Sequence, residues 1–476
     1  MKKEIIVNRT NEETRVAILE DGKLMDLFIE RRESEKIVGN IYKGKVNAVL
    51  PGISSSFVNI GLEKNAYLFV DDVISPALRE RKIEKMLSKG QDIIVQIDKE
   101  PISTKGAKTT MDVSLPGRLL VFMPFNDHIG ISKNIEDRAE RDRLKKIIDS
   151  HRPEHGGFIV RTEAEDATDV ELKREMKYLE RLWQSIKENA DKAKPPALLH
   201  RDLGVVFQTV RDYLNEEVEI MLIDNHTEFK EVKDFTKIVS PECIDKVQHY
   251  SGRTDIFKAF KIDEEIKQLY ASRVDLPSGG SLIIQEAESL CAIDVNTGRF
   301  TGNKSQEETV TITNLEAAKA IARQIRLRSI GGIIVIDFID MKHAKNRQKV
   351  LEALSEACKN DKAKIKIWPI TRLGLIEMTR ERRRESFSKL MSQPCPECGG
   401  TGQVVSSESL FIQVIQELQA MKLTHHAGKV RLRLNPAVAQ YFRERIGRLR
   451  HASHEKIEVQ AAPEVDWAEY NIIVEQ

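Results

Sequence analysis

The chain has 476 residues, 41% of them hydrophobic and 31% charged, with a formal net charge of +1. That is too long for one ordinary core, so several domains are expected, and the composition is that of a soluble globular protein. No run of eighteen apolar residues exists, which excludes a spanning helix, and Met1-Lys-Lys-Glu leads into only three apolar residues, too few for a secretory signal. The five cysteines (243, 291, 358, 395, 398) are odd in number and three are scattered, which argues for reduced thiols in a cytoplasm rather than a disulfide framework. Near-zero net charge gives no general attraction for nucleic acid. Such a partner would need local charge, as in Lys43-Gly-Lys45 or Arg380-Glu-Arg-Arg-Arg384, whose bland reading is a solvated face.

Residues 4–29 alternate apolar and polar around Glu20-Asp21-Gly22, a hairpin signal. Short strands follow at 41–50, 56–60, 66–70, 92–97 and 119–123, a density that predicts a small barrel such as an OB-fold. A charged, helix-like segment, 78–88, interrupts it. Phe57 and Tyr67 are either barrel core or stacking faces for unpaired bases, with Lys105 in Thr-Lys-Gly-Ala as a backbone contact. Gly156-Gly-Phe-Ile-Val-Arg161-Thr162 is a strand ending on a polar pair. Thr168-Asp-Val-Glu171 is a capping box opening a helix whose buried stripe is Leu172, Met176, Leu179, Trp183 and Ile186, stopped by Pro195-Pro196. A strand at 218–224 and a helix at 257–272 come next.

The richest stretch is 281–341. Two Ile/Val-rich runs end on carboxylates, Ala292-Ile-Asp294-Val-Asn296-Thr-Gly298 and Gly331-Gly-Ile-Ile-Val-Ile-Asp337-Phe-Ile-Asp340. Between them Leu315, Ala318, Ile321 and Ile325 recur at helical spacing, with Glu316, Lys319, Arg323 and Arg326 on the other faces. A strand–helix–strand crossover predicts parallel, neighbouring strands, so Asp294 and Asp337, 43 residues apart, can converge. Asp294 and Asn296 project from one face. Taken singly, an Asp at a strand end caps the next turn; two with an amide beside them make a hard oxygen site suited to Mg²⁺.

A helix at 351–358, a strand at 363–368 and Arg372-Leu-Gly-Leu-Ile-Glu-Met-Thr-Arg380 follow. Cys395-Pro-Glu-Cys398-Gly-Gly-Thr-Gly402 looks like a zinc knuckle, but it supplies two thiolates where structural zinc takes four ligands. No other cysteine pairs at ligand spacing. The economical solution is one Zn²⁺ shared by two chains; the rival, a redox pair, normally sits at a helix start and not in a Gly-rich turn. Beyond a Ser406-Ser407 linker, 410–422 (helix), 430–434 (strand), 437–449 (helix), 456–460 and 471–474 (strands) form a small α+β module.

Leu276-Pro-Ser-Gly-Gly280, Ala292 to Gly298, Gly331 to Met341 and Cys395 to Gly402 together resemble the ribonuclease E/G family of bacterial single-strand endoribonucleases. The resemblance covers nearly the whole chain. It implies an α+β multidomain fold: a ribonuclease-H-like subdomain (1–36 and 216–278) with an inserted OB-fold RNA-binding barrel (37–125), a 5′-phosphate-sensor region (126–215), a DNase-I-like catalytic domain (279–394), a zinc knuckle (395–405) and a small oligomerisation domain (406–476). The ribonuclease-H-like part lacks the acidic cluster of an active ribonuclease H and is expected to be structural.

The resemblance further implies cleavage of single-stranded RNA, ribosomal precursors and messenger RNA, with 5′-phosphate and 3′-hydroxyl products. Asp294 and Asp337 would hold catalytic Mg²⁺ with Asn296 as orienter; Phe57, Tyr67 and Lys105 would bind RNA. Arg161 and Thr162 would bind a 5′-monophosphate, with Lys133 where a helping Arg is expected. A zinc-linked homodimer whose small domains can pair dimers into a tetramer is also implied. The long Arg- and Pro-rich tail of larger members, a degradosome scaffold, is not in this sequence. A non-catalytic RNA-binding factor using the barrel, and a metal-dependent DNA nuclease, are the competing readings.

Overall fold

In a computed structural model of the chain, Asp21 and Gly22 both take positive φ, 49° and 75°. That is what a two-residue type I′ turn requires, and it folds Glu13–Glu20 back onto Lys23–Arg31. The structure describes residues 2–32, 37–74, 82–101, 106–298, 306–422, 429–453 and 456–475. They divide into two compact units, Met1–Arg384 and Glu385–Gln476.

In the larger unit the hairpin pairs with Lys3–Arg9, which lies parallel to Val218–Ile223, itself parallel to Val247–His249. Helices Val205–Tyr213 and His226–Val239 supply Val206, Val210 and Val232 to the core over Ile5, Val16 and Met221. The expected helix at 257–272 is two short ones, Ile256–Ala259 and Ile262–Gln268, because Lys261 adopts φ 56° between them.

Strands Ile41–Leu50, Ser55–Asn59, Ala66–Phe69, Lys108–Thr110 and Asp92–Lys99 pair in that order, and the last returns to the first, closing a five-stranded barrel. The fifth stave is therefore Lys108–Thr110, a polar triplet without a strand-like apolar run. The predicted strand at 119–123 forms as Leu120–Met123 but outside the barrel. It pairs with Gly157–Val160 in a separate four-stranded sheet. Helices Arg138–His151 and Asp169–Lys192 cover that sheet, burying Leu144, Met176 and Leu179. Both halves of the Thr168–Glu171 capping box are made. Lys43 donates to the carbonyls of Ala190 and Ala193 at 2.8 and 3.0 Å, so it caps this long helix. Of the segment expected to be helical at 78–88, Ile83–Met86 is a helix and residues 78–81 lie outside the described residues.

The last sheet of the larger unit has six strands, with Leu290–Asn296 and Gly332–Asp337 parallel at its centre. The crossover helix between them is Gln306–Leu327. Its Arg326 does not face solvent: it is 8% exposed and bonds Asp26 at 2.5 Å and Glu20 at 2.9 Å, tying the crossover helix to the N-terminal hairpin. A buried cation persists only with such partners.

In the smaller unit, Lys429–Leu434 runs between Lys456–Ala461 (parallel) and Tyr470–Glu475 (antiparallel). Helix Ser407–Lys422 contributes Leu410, Phe411 and Val414 to the core beneath them. The helix expected at 437–449 is two, Pro436–Glu444 and Ile446–Ser453, parted at Arg445. No helix among the described residues is long and apolar enough to cross a membrane.

Candidate active site

Alternation along Leu290–Asn296 buries Cys291, Ile293 and Val295 and exposes Ala292, Asp294 and Asn296. The parallel neighbour buries Ile334 and Ile336 and exposes Asp337. In the ladder Asp294 stands directly opposite Asp337. Strand spacing alone therefore brings the two carboxylates within roughly 5 Å at the backbone. Asn296 donates through Nδ2 to Asp294 Oδ2 at 2.7 Å, fixing which carboxylate oxygen remains open.

The surrounding loops are held by backbone fit. Gly298 has φ 58°, and a Cβ there would lie 2.4 Å from the Gly279 carbonyl oxygen; one on Gly280 would lie 2.7 Å from that of Asn296. The Leu-Pro-Ser-Gly-Gly and Asn-Thr-Gly motifs thus pack against each other, which accounts for their glycines. From the crossover helix, Asn314 bonds both backbone groups of Ile339. Glu307 accepts from the amides of Lys342 and His343 and from the Asn346 side chain. These contacts anchor the loop carrying Asp340, which is exposed beside the Gly374 turn. Among the described residues there is no group of three or more His, Cys, Asp or Glu arranged for a metal. The donor set here is two carboxylates and an amide.

A second polar site is an open cleft of about 710 Å³. It brings Lys133, Arg161 and Thr162 together, as well as Ser132, Lys362, Lys364 and Arg383, which the sequence reading did not single out for it. Arg161 donates to buried Asp212 at 2.9 Å and to the Gly117 carbonyl; Thr162 shares a 2.9 Å hydrogen bond with Ser132. Burial alone would push the Asp212 carboxyl up, but Arg211 and Arg161 more than offset it and hold the group at about 2. Behind the cleft, burial pushes Glu175 up to about 7 even though its carboxylate accepts the Leu119 and Leu120 amides.

On the barrel, Phe57 and Tyr67 are cross-strand partners with ring centroids 6.0 Å apart, edge to face. Both are half-buried, on the side of the strands opposite core residues Val58, Ala66 and Leu68. Lys108 stands in register with Tyr67, held by Asp72 and Asp98 at 2.9 and 3.0 Å. Lys105 lies outside the described residues. In the first sheet, Asp224 and Asp255 converge on the Asn8 amide at 2.7 and 3.2 Å.

In the smaller unit Cys395 is exposed and Cys398 half-buried. Gly399, Gly400 and Gly402 all take positive φ (60°, 92° and 73°), and the Gly402 amide donates to Cys398 Sγ at 3.2 Å. The Gly402 and Gly400 amides pull the Cys398 thiol below its ordinary value. Cys291, by contrast, is pushed up to about 12 by burial and Cys358 to about 11.

Residues 114–383 match the model of the Ribonuclease E/G family, and residues 394–475 match that of the RNase E/G thioredoxin-like domain. The chain belongs to the ribonuclease E/G family. It is 41% identical over 448 residues to Ribonuclease G of Haemophilus influenzae, covering 92% of this chain and 91% of that protein. Ribonuclease G of Salmonella typhimurium is 36% identical over 491 residues, spanning the whole of both. Ribonuclease E of Haemophilus influenzae is 38% identical over 451 residues, which cover 92% of this chain and 48% of that protein.

Proposed function

We propose that the chain is a metal-dependent endoribonuclease that cuts single-stranded RNA, prefers 5′-monophosphorylated substrates, and serves ribosomal RNA maturation and messenger RNA decay. The observation that carries this reading is the register of Asp294 against Asp337, with Asn296 bonded to the first. Two exposed carboxylates at strand-spacing distance fit a Mg²⁺ that keeps most of its waters for phosphate. Asp294 and Asp337 would hold it. When bound, the ion supplies Lewis-acid polarisation of the phosphodiester and a more acidic water. Asn296 bonds Asp294 and orients it, and exposed Gly279, where a Cβ would meet nothing within 4 Å, leaves room for the RNA strand to approach. Phe57 and Tyr67 would stack unpaired bases. Arg161, Thr162 and Lys133 would bind the terminal phosphate, a charge-assisted contact that a 5′-hydroxyl cannot make.

The knuckle fits zinc by its donor chemistry: two neighbouring thiols, one of them already receiving a backbone amide. Cys395 and Cys398 would supply half of a tetrahedral site, and two chains would complete it, giving a homodimer with half a zinc per chain. The free thiols support a reducing cytoplasm as its location.

The test is cleavage of a 5′-labelled single-stranded RNA, with and without Mg²⁺, beside the same sequence as DNA. RNA cut only with Mg²⁺, leaving 5′-phosphate and 3′-hydroxyl ends and cut faster from a 5′-monophosphate than from a 5′-hydroxyl, supports the reading. RNA bound but never cut would make the chain a binding factor; DNA cut equally well would make it a general nuclease.

A further inference from the structure

Strand Leu375–Arg380 is followed at once by Glu381-Arg382-Arg383-Arg384, a run whose bland reading is a solvated face. The structure treats the last of these differently. The Arg384 guanidinium is pressed on the buried ring of Phe28, 3.9 Å from its centroid. Arg384 and Arg383 help to wall a polar cavity of about 140 Å³ with Tyr213, Arg211, Lys362 and Arg380.

The carboxylates around this cavity are already committed. Asp26 is bonded by Arg326, Asp361 takes a two-pronged bond from Arg380 at 2.7 and 3.1 Å, and Asp212 serves Arg211 and Arg161. Lys362 bonds Glu163 at 3.0 Å. Arg383 and Arg384 are left, adjacent in the chain and without a carboxylate partner among the described residues. Burial, with the neighbouring Arg383, lowers the Arg384 guanidinium from its ordinary value, and Tyr213, Asp212 and Asp26 offset only part of that. Burial also raises the Tyr213 phenol, keeping it a proton donor. Arg384 is half-buried and Arg383 exposed, so both guanidiniums keep donors at the cavity wall that an anion can take.

We propose that this cavity is a binding site for a small phosphate-class oxyanion, held by Arg384, Arg383 and the Tyr213 hydroxyl. Size selects the ligand. The space equals about four or five waters and is below the ~300 Å³ at which pockets begin to take drug-sized molecules, so a nucleotide is too large and a free tetrahedral anion fits. Planar guanidinium forks beside a hydroxyl donor are the groups that recognise such an anion. The site is distinct from the end-binding cleft, although Lys362 and Arg383 line both.

The experiment is calorimetric titration of inorganic phosphate into the full chain at fixed ionic strength, with chloride as the control. Saturable binding is expected, at least about tenfold weaker in Arg384→Gln, since hydrogen bonds to charged groups contribute roughly 1.5–3 kcal/mol. It should be retained within about twofold in a Lys133→Gln, Thr162→Val double variant, where two terminal-phosphate ligands of the cleft are changed. Tyr213→Phe, which removes one oxygen and keeps the ring, should weaken binding even if Arg384→Gln does not fold. Absence of saturable binding by the unaltered chain overturns the proposal. So does binding lost in the cleft variant and unchanged in Arg384→Gln or Tyr213→Phe, which would place phosphate in the cleft alone.

Discussion

The carboxylate edge and the cleft around Arg161 hold charged side chains in place by opposite means. Asp294 and Asp337 are exposed and owe their position to a backbone ladder, with Asn296 bonded to Asp294 through its side chain. Arg161 is positioned almost entirely by side chains and loops: Asp212, whose two oxygens Arg211 also grips, and the Gly117 carbonyl. The first arrangement is most sensitive at the acids themselves and less so at the residues around them. The second is a chain of buried partners, each of which the others need.

Substitution separates the two. Asp294→Asn or Asp337→Asn should lower the cleavage rate by at least about 10³-fold, roughly 4 kcal/mol in the barrier, with denaturant midpoint and RNA affinity unchanged. Wild-type rates in both variants would show the acids to be strand caps. Asp212→Asn should do the reverse. It leaves Arg161 and Arg211 around a buried neutral amide, costs about 3 kcal/mol or more of stability by denaturant unfolding, and erases the preference for a 5′-monophosphate while cleavage of a 5′-hydroxyl RNA persists. An undiminished midpoint would mean the cleft is not side-chain-held.

A pH titration sharpens the contrast further. Glu175 sits at about 7 in the folded chain, above its ordinary 4.5, so the folded state binds this proton more tightly than the unfolded state does. Stability from this group is full below about 4.5 and falls as pH rises through about 7, by about 3 kcal/mol at 1.36 kcal/mol per unit. Unfolding midpoints across that window should carry this slope, and Glu175→Gln should flatten it; an identical slope in the variant assigns it elsewhere. The smallest effect belongs to Asn296→Ala, which removes an orienting bond and not a ligand. A loss of about 10–100-fold in rate, largely recovered by Asn296→Gln or by raised Mg²⁺, separates orientation from a structural role.

What was legible in the sequence follows the same division. Period-two alternation and the crossover helix were enough to pair Asp294 with Asp337, because a ladder converts sequence parity into geometry. The capping box and the Asp21-Gly22 turn were legible for the same local reason. The fifth barrel stave, Lys108–Thr110, was not, since it is recruited by its neighbours and not by its own apolar pattern. Nor were the buried partners Arg326 with Asp26, 300 residues apart, and Arg161 with Asp212. An ion pair leaves no periodicity to read, so a buried Arg looks like a surface one until the fold brings its acid to it.

The parallel register of the two central strands also governs when the chain is able to act. A copy that has not joined these strands, or has joined them one residue out, carries both acids on opposite faces and has no site. About 40 residues and a long helix must fold between the first acid and the second. The proposed cutting activity therefore switches on late and all at once. A copy whose central strands are unpaired or out of register lacks the paired acids, so the geometry that forms the site also serves as its safety catch.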